Sequence, residues 1–318
     1  MDAVGAAERN LRWLLRSVQH VLDDPDLTDL HILGPGSALV DCGRGMEPLV
    51  LPYTLADLED IAINAAALTG QDIAADVPIV STRFPDGERV QVQRPPAVAD
   101  GQLAFSIRKP KQQTWRPEHL DYANPEWLGL LTRAVQRQRN ILFCGKVGSG
   151  KTHAMRAFTH AIPPAWRLVT IEDTPELINL PVPNVQGLFY SKGGQSVART
   201  TAEDLVDAAL RMGPDGILLQ ELRDEAAYAY LSAIESGHWA MTTTHADTAE
   251  EARHRVKGLV KRHQVGRSLN DNDVTESLRR SIHVVVHCVR EGNRRYIAQV
   301  LCEPDAADQQ APAAVAAE

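Results

Sequence analysis

Residues 145–152 read Gly-Lys-Val-Gly-Ser-Gly-Lys-Thr, which fits the pattern G-x-x-x-x-G-K-S/T. That run constrains the fold more than any other stretch, because it works only between a strand and a helix. Residues 141–144 before it are apolar and strand-like, and residues 151–160 after it read as a helix. The glycines let backbone N–H groups curl around phosphates, and the helix N-terminus that follows favours negative charge. The phosphate-binding set expected here is Gly145, Val147, Gly148, Ser149, Gly150, Lys151, Thr152 and His153. Lys151 would reach the β- and γ-phosphates, and the Thr152 hydroxyl would ligate Mg²⁺. The loop implies a nucleotide, but by itself it does not separate a kinase from a GTPase or a motor.

Downstream of the loop, strand and helix patterns alternate. Strands are expected at 167–172, 217–219 and 240–243, with helices at 202–212 and 224–236. Such alternation implies helices packed on a largely parallel sheet. Two of these strands end in acids: Glu172 with Asp173, and Glu221. Ligands of open α/β sheets bind beyond the carboxyl ends of strands, so both sites would lie near the phosphate loop. One acid could hold Mg²⁺ or its waters while the other orients and deprotonates the attacking water. Asp173 serves equally well as a helix N-cap. The stretch 236–246, SGHWAMTTTHA, brings His245 to a third strand tip, where it could contact the γ-phosphate or a catalytic acid. His238 could instead close the preceding helix with Gly237, and the spacing of the two histidines fits no common zinc motif.

The 318-residue length suggests two domains. Before the phosphate loop, residues 8–22 put Leu11, Leu14, Leu15, Val18 and Leu22 on one helical stripe. Short strands are expected at 27–33 and 38–42, and Thr54 looks like the N-cap of a helix over 55–68. Residues 88–93 and 103–109 both alternate, around a loop holding Pro95, Pro96 and Gly101, which suggests a hairpin with Arg89 and Arg108 on its polar face. Residues 109–125 hold three prolines and no apolar periodicity, so a linker is expected there. Near the end, 283–289 and 295–301 flank Glu291-Gly292-Asn293 as a second hairpin.

The net charge of −8 argues against a general nucleic-acid coat. No apolar run is long enough to span a bilayer, and the first residues lack a secretory signal. Cys42, Cys144, Cys288 and Cys302 form no C-x-x-C pair. A reduced, soluble, cytoplasmic chain is expected.

The order GKVGSGKT, TIEDTPEL, RMGPDGILLQELRD, SGHWAMTTTHA resembles the secretion ATPase superfamily, the hexameric ATPases of type II and type IV secretion and of type IV pili. FSIRKP and DGERVQV look most like its type IV secretion and conjugal-transfer branch, whose members power substrate export and pilus assembly. The resemblance implies an α/β fold, a RecA-like P-loop ATPase domain joined by a linker to a smaller N-terminal α+β domain. It sets the domains at 1–110, linker 111–126, 127–303 and a flexible tail 304–318. It implies ATP and Mg²⁺ as cofactors, Lys151 and Thr152 on phosphate and metal, Glu172 activating water, Glu221 at the metal and His245 sensing the γ-phosphate. Arg89 and Arg108 would reach the phosphates from the N-terminal domain, and Arg211 is a further candidate. Implied partners are five further copies in a hexamer and inner-membrane secretion-system subunits, at the cytoplasmic face of that membrane. Gln220 stands where the family usually has glycine, and the paired cysteines of type II members are missing.

Two alternatives stay open: a DNA-binding translocase on the same core, or a type II secretion or pilus-assembly ATPase. The basic residues of 253–267 (Arg253, Arg255, Lys257, Lys261, Arg262 and Arg267) could touch DNA or anionic lipid, or simply form a solvated helix face.

Overall fold

The computed structural model describes residues 3–109, 115–173, 175–190, 200–223, 226–292 and 294–303. Thr174, Asn293, residues 110–114 of the expected linker, the expected helix start at 224–225 and the expected tail 304–318 lie outside them. The chain forms two compact units with the main division near residue 113.

The first unit has helices α1 (Ala3–Leu15), α2 (Gln19–Leu22) and α3 (Leu55–Leu68). Its six strands are β1 (Asp29–Gly34), β2 (Ser37–Asp41), β3 (Met46–Leu49), β4 (Ile79–Arg83), β5 (Arg89–Gln93) and β6 (Ala104–Arg108). They form one antiparallel sheet in the order β3-β2-β1-β6-β5-β4. The single helix expected over 8–22 is instead two. Val18 N–H bonds the carbonyl three residues back, at Leu15, which tightens the chain there. The stripe survives the break: Leu11, Leu15, Val18 and Leu22 are all buried against α3 and the sheet. Thr54 caps α3 as expected, in a reciprocal box with Asp57. The hairpin also forms as expected: β5 pairs β6 with Val90, Val92, Phe105 and Ile107 facing the core. Arg89 and Arg108 face each other as cross-strand partners, and Arg89 is also opposite Arg83.

The second unit is built on an eight-stranded sheet in the order β10-β9-β11-β12-β8-β13-β14-β7. Its strands are β7 (Asp121–Tyr122), β8 (Ile141–Cys144), β9 (Arg167–Glu172), β10 (Asn184–Phe189), β11 (Gly216–Leu219), β12 (Trp239–Thr244), β13 (Val284–Glu291) and β14 (Arg294–Cys302). Every neighbouring pair is parallel except the β13–β14 hairpin. The helices are α4 (Glu126–Gln136), α5 (Lys151–Phe158), α6 (Ala202–Leu210), α7 (Ala226–Glu235), α8 (Ala249–Val260), α9 (Gln264–Ser268) and α10 (Asp271–Ser281). Leu131 and Val135 of α4 pack with Met155 and Phe158 of α5 on one face of the sheet. Val206, Tyr230, Val256 and Leu278, from α6, α7, α8 and α10, fill the other. A sheet covered on both faces explains why β8, β11 and β12 bury every residue.

The connection from β8 crosses two strands to reach β9, whereas the one from β12 goes the other way, to β13. The chain thus diverges between β8 and β12, and ligands of open α/β sheets bind beyond the strand ends at such a point.

Candidate nucleotide site

The phosphate loop leaves the end of β8 and feeds α5, as its pattern requires. Gly145 has φ +151°, and a Cβ there would lie 2.3 Å from the Cys288 carbonyl oxygen and 2.4 Å from Ser149 Oγ. No other residue fits. Gly150 takes a left-handed φ of +91° at the N-cap of α5. Ser149 N–H closes the turn onto the Lys146 carbonyl at 3.2 Å, while Val147 is exposed at the tip. The Thr152 hydroxyl, in the first turn of α5, bonds to no described residue and is available to a metal. His153 turns its ring edge-on to Trp115, with centroids 6.1 Å apart, rather than joining the polar cluster at the strand tips.

That cluster joins three sequence-predicted residues. Lys151 Nζ is 3.2 Å from His245 Nδ1, and His245 Nε2 is 3.2 Å from Glu221 Oε1. Burial lowers the Lys151 ammonium below its usual pKa, and burial together with the Lys151 charge lowers His245. Its Nδ1 faces the Lys151 ammonium and its Nε2 faces Glu221, while a backbone hydrogen bond with Gly145 opposes the downward shift. Burial pushes Glu221 up to about 7 although Lys151 opposes the shift. Arg223, not expected from the sequence, reaches Glu221 at 2.6 Å and Asp173 at 3.3 Å. It stands two residues after Glu221 in an extended segment, and that spacing puts side chains on the same side.

Glu172 is placed differently. It is fully buried, and its Oε2 accepts N–H bonds of 2.6 Å from both Glu176 and Leu177. Thr170 Oγ1 donates to Oε1 at 3.3 Å. Burial pushes it up to about 7 against these bonds. In this arrangement Glu172 holds the backbone of Glu176 and Leu177, and Glu221 is the carboxylate beside Lys151. Gln220, the departure from the family's glycine, ties two strand ends together, since its side-chain oxygen accepts from Asp173 N–H at 3.2 Å. Ser236 Oγ and His238 Nδ1 are 3.1 Å apart at the α7 end, and Gly237 is left-handed there, so this histidine closes a helix.

Two arginines without a sequence signal brace the loop from the β13–β14 hairpin. Arg295 Nε donates to the Gly148 carbonyl at 3.0 Å, and a Cβ on Gly148 would lie 3.5 Å from Arg290 Nη1. In the first unit, Arg108 Nε donates to Asp29 at 2.9 Å. Arg211 is the C-cap of α6.

The basic stretch is divided among different neighbours. Arg253 pairs with Glu303, Lys257 lies 3.8 Å and Lys261 2.8 Å from Asp271, and Arg255 lines a cavity with Glu221 and His245. Among the described residues no cluster of three His, Cys, Asp or Glu side chains could hold a metal alone. Among the described residues, no helix is long and apolar enough to cross a membrane.

The Type II/IV secretion system protein family matches residues 57–314. Protein VirB11 of Agrobacterium fabrum is 36% identical over 325 residues, covering 93% of this chain and 94% of its own. The crystal structure of the VirB11 ATPase from the Brucella suis type IV secretion system, in complex with sulphate, is 31% identical with a TM-score of 0.52 and covers 95% of this chain and 97% of that one. The pilus retraction motor PilT with bound ADP shares the fold, with a TM-score of 0.65 at 19% identity over 94% of this chain and 84% of its own. The second unit is therefore a RecA-like P-loop domain accompanied by a smaller N-terminal α+β unit, and the chain belongs to the Type II/IV secretion system protein family, on its type IV branch.

Proposed function

We propose that this chain is the ATP-hydrolysing motor subunit of a type IV secretion system, powering substrate transfer and pilus assembly. The observation that carries the reading is the contact series from Lys151 through His245 to Glu221 at the mouth of the phosphate loop. Lys151 and the loop amides from Gly145 to Thr152 hold the ATP phosphates. Thr152 and Glu221 would hold Mg²⁺, which would supply charge stabilisation to the phosphates. Glu221 orients the attacking water, and His245 links the state of the γ-phosphate to Glu221. Glu172 assists by fixing the backbone of Glu176 and Leu177, and its full burial leaves the water to Glu221. Arg89 and Arg108 contribute charge from the first unit to the transition state, as guanidiniums on a transferring phosphoryl group do. The working form is a homo-hexamer at the cytoplasmic face of the inner membrane, docked on that system's membrane subunits.

The divided basic stretch favours this motor over a DNA translocase, because Arg253, Lys257 and Lys261 already have acidic partners. The test is phosphate release from Mg-ATP by the purified chain and by Lys151→Ala. Losing that charge removes several kcal/mol of transition-state stabilisation, so the variant should fold but not turn over. Wild-type rates in a folded Lys151→Ala protein would overturn the assignment.

A further inference from the structure

Beyond the Glu221–His245 pair lies a cavity of about 230 Å³, lined by Glu221, Arg223, Thr244, His245, Arg255 and two leucines. It opens on the face of the sheet opposite α5. Thr244 shares its strand face with Ala240, which packs in the α6–α10 layer, whereas the Lys151 helix lies in the other layer. His245 and Glu221 thus line the cavity, and His245 also meets Lys151 of the phosphate loop.

Its polar lining is unusual in two respects. Thr244 is 1% exposed, and its Oγ1 has no hydrogen-bond partner among the described residues. A buried hydroxyl without a partner costs stability unless something else satisfies it. Arg255, from α8, makes no hydrogen bond or ion pair among the described residues, although Lys257 on the same helix is paired. Arg223 adds a second guanidinium, shared with Glu221 and Asp173. Arg223 is already held between those two carboxylates, so Arg255 is the guanidinium left to a guest. Forked guanidinium donors plus a hydroxyl suit a compact oxyanion better than any apolar or cationic guest.

We infer that this cavity receives the inorganic phosphate produced by hydrolysis, with Arg255, Arg223 and the Thr244 hydroxyl as its ligands. The inference rests on the ATPase reading for the source of the phosphate, not for the binding itself. A product site behind Glu221 lets phosphate leave the catalytic position while ADP still fills the loop, so the two products depart by different routes. Arg255 then belongs to the catalytic cycle through product release rather than to a DNA- or lipid-binding patch.

The test is calorimetric titration of inorganic phosphate into the full chain saturated with ADP and Mg²⁺, so that the loop is already occupied. Saturable binding of one phosphate per chain is expected. Arg255→Ala should weaken it about tenfold, the loss of one charge-assisted hydrogen bond. Arg255→Lys should recover part of that loss, and Thr244→Val should weaken binding severalfold while preserving shape. Lys257→Ala, on the same helix, should bind as wild type, and ADP affinity should be unchanged throughout. Equal phosphate affinity in wild type and Arg255→Ala, no saturable binding in wild type, or a parallel fall in ADP affinity would overturn the inference. ATP turnover measured on the same samples judges the motor reading separately: an inactive wild type that binds phosphate through Arg255 would sink the motor and leave the pocket.

Discussion

Replacing His245 with alanine removes the group that joins Lys151 to Glu221, and the structure sets the size of the effect. His245 Nε2 lies 3.2 Å from Glu221 Oε1, and Glu221 titrates at about 7. A hydrogen bond to a charged acceptor contributes about 1.5–3 kcal/mol. Its loss therefore raises the Glu221 pKa by about one to two units, at ~1.4 kcal/mol per unit. The sign follows from the bond favouring the ionised form. Near pH 7 the ionised fraction would fall from about a half to between about a tenth and a hundredth. If ionised Glu221 is required, kcat/KM at that pH falls roughly 5- to 50-fold, and most of the loss is recovered at alkaline pH. Water entering the vacated space restores part of the bond, so these are upper figures. The assay is kcat/KM for Mg-ATP across pH, for wild type, His245→Ala and His245→Gln. The midpoint of the acid limb should move upward in His245→Ala and less in His245→Gln, which keeps an N–H donor. The same midpoint in all three would refute the reasoning. The acid limb of kcat itself should lie lower in wild type, because bound Mg²⁺ favours the carboxylate.

Gly145→Ala tests the loop's backbone. The added methyl meets the Cys288 carbonyl at 2.3 Å on a chain with φ +151°, so it should cost about 1–3 kcal/mol of stability in a urea melt and weaken nucleotide binding. A wild-type midpoint and affinity would show that the loop can move aside. The Arg89→Ala/Arg108→Ala variant should slow hydrolysis with little loss of stability, since the exposed Arg108–Asp29 pair contributes under ~1 kcal/mol. Normal ATPase rates with unchanged nucleotide-dependent compaction by small-angle scattering would return both residues to the surface.

The parts of this site legible in the sequence were those whose geometry is local. The phosphate loop carries its own turn, and the pattern of its flanks is short-range. Glu172 and Glu221 both end apolar strands, so the sequence could not tell them apart. They differ because residues 176 and 177 fold back to donate to Glu172, while Glu221 meets Lys151 from the start of α5 and His245 from the tip of β12. Arg295 was invisible because its acceptor, Gly148, is 147 residues away. The helix α10 was missed because DNDVTESLRRS buries only Val274, Ser277, Leu278 and Ser281, too thin a stripe to stand out. Edge strands β3, which contains Pro48, and β10, which contains Gly187, lack a continuous alternating pattern. The basic stretch misled for a related reason: Glu303 and Asp271, which neutralise parts of it, come from outside the stretch.

The central claim is that Glu221 drives hydrolysis of ATP held by the phosphate loop. Single-turnover mixing of Glu221→Gln with a fluorescent ATP analogue and Mg²⁺ tests it most directly, because glutamine keeps the shape and removes the charge. The account predicts binding close to wild type, cleavage slowed at least about a hundredfold, as for other losses of transition-state charge stabilisation, and an uncleaved nucleotide trapped on the protein. Cleavage and release at wild-type rates would contradict it, make Glu221 structural and shift the chemistry to Glu172.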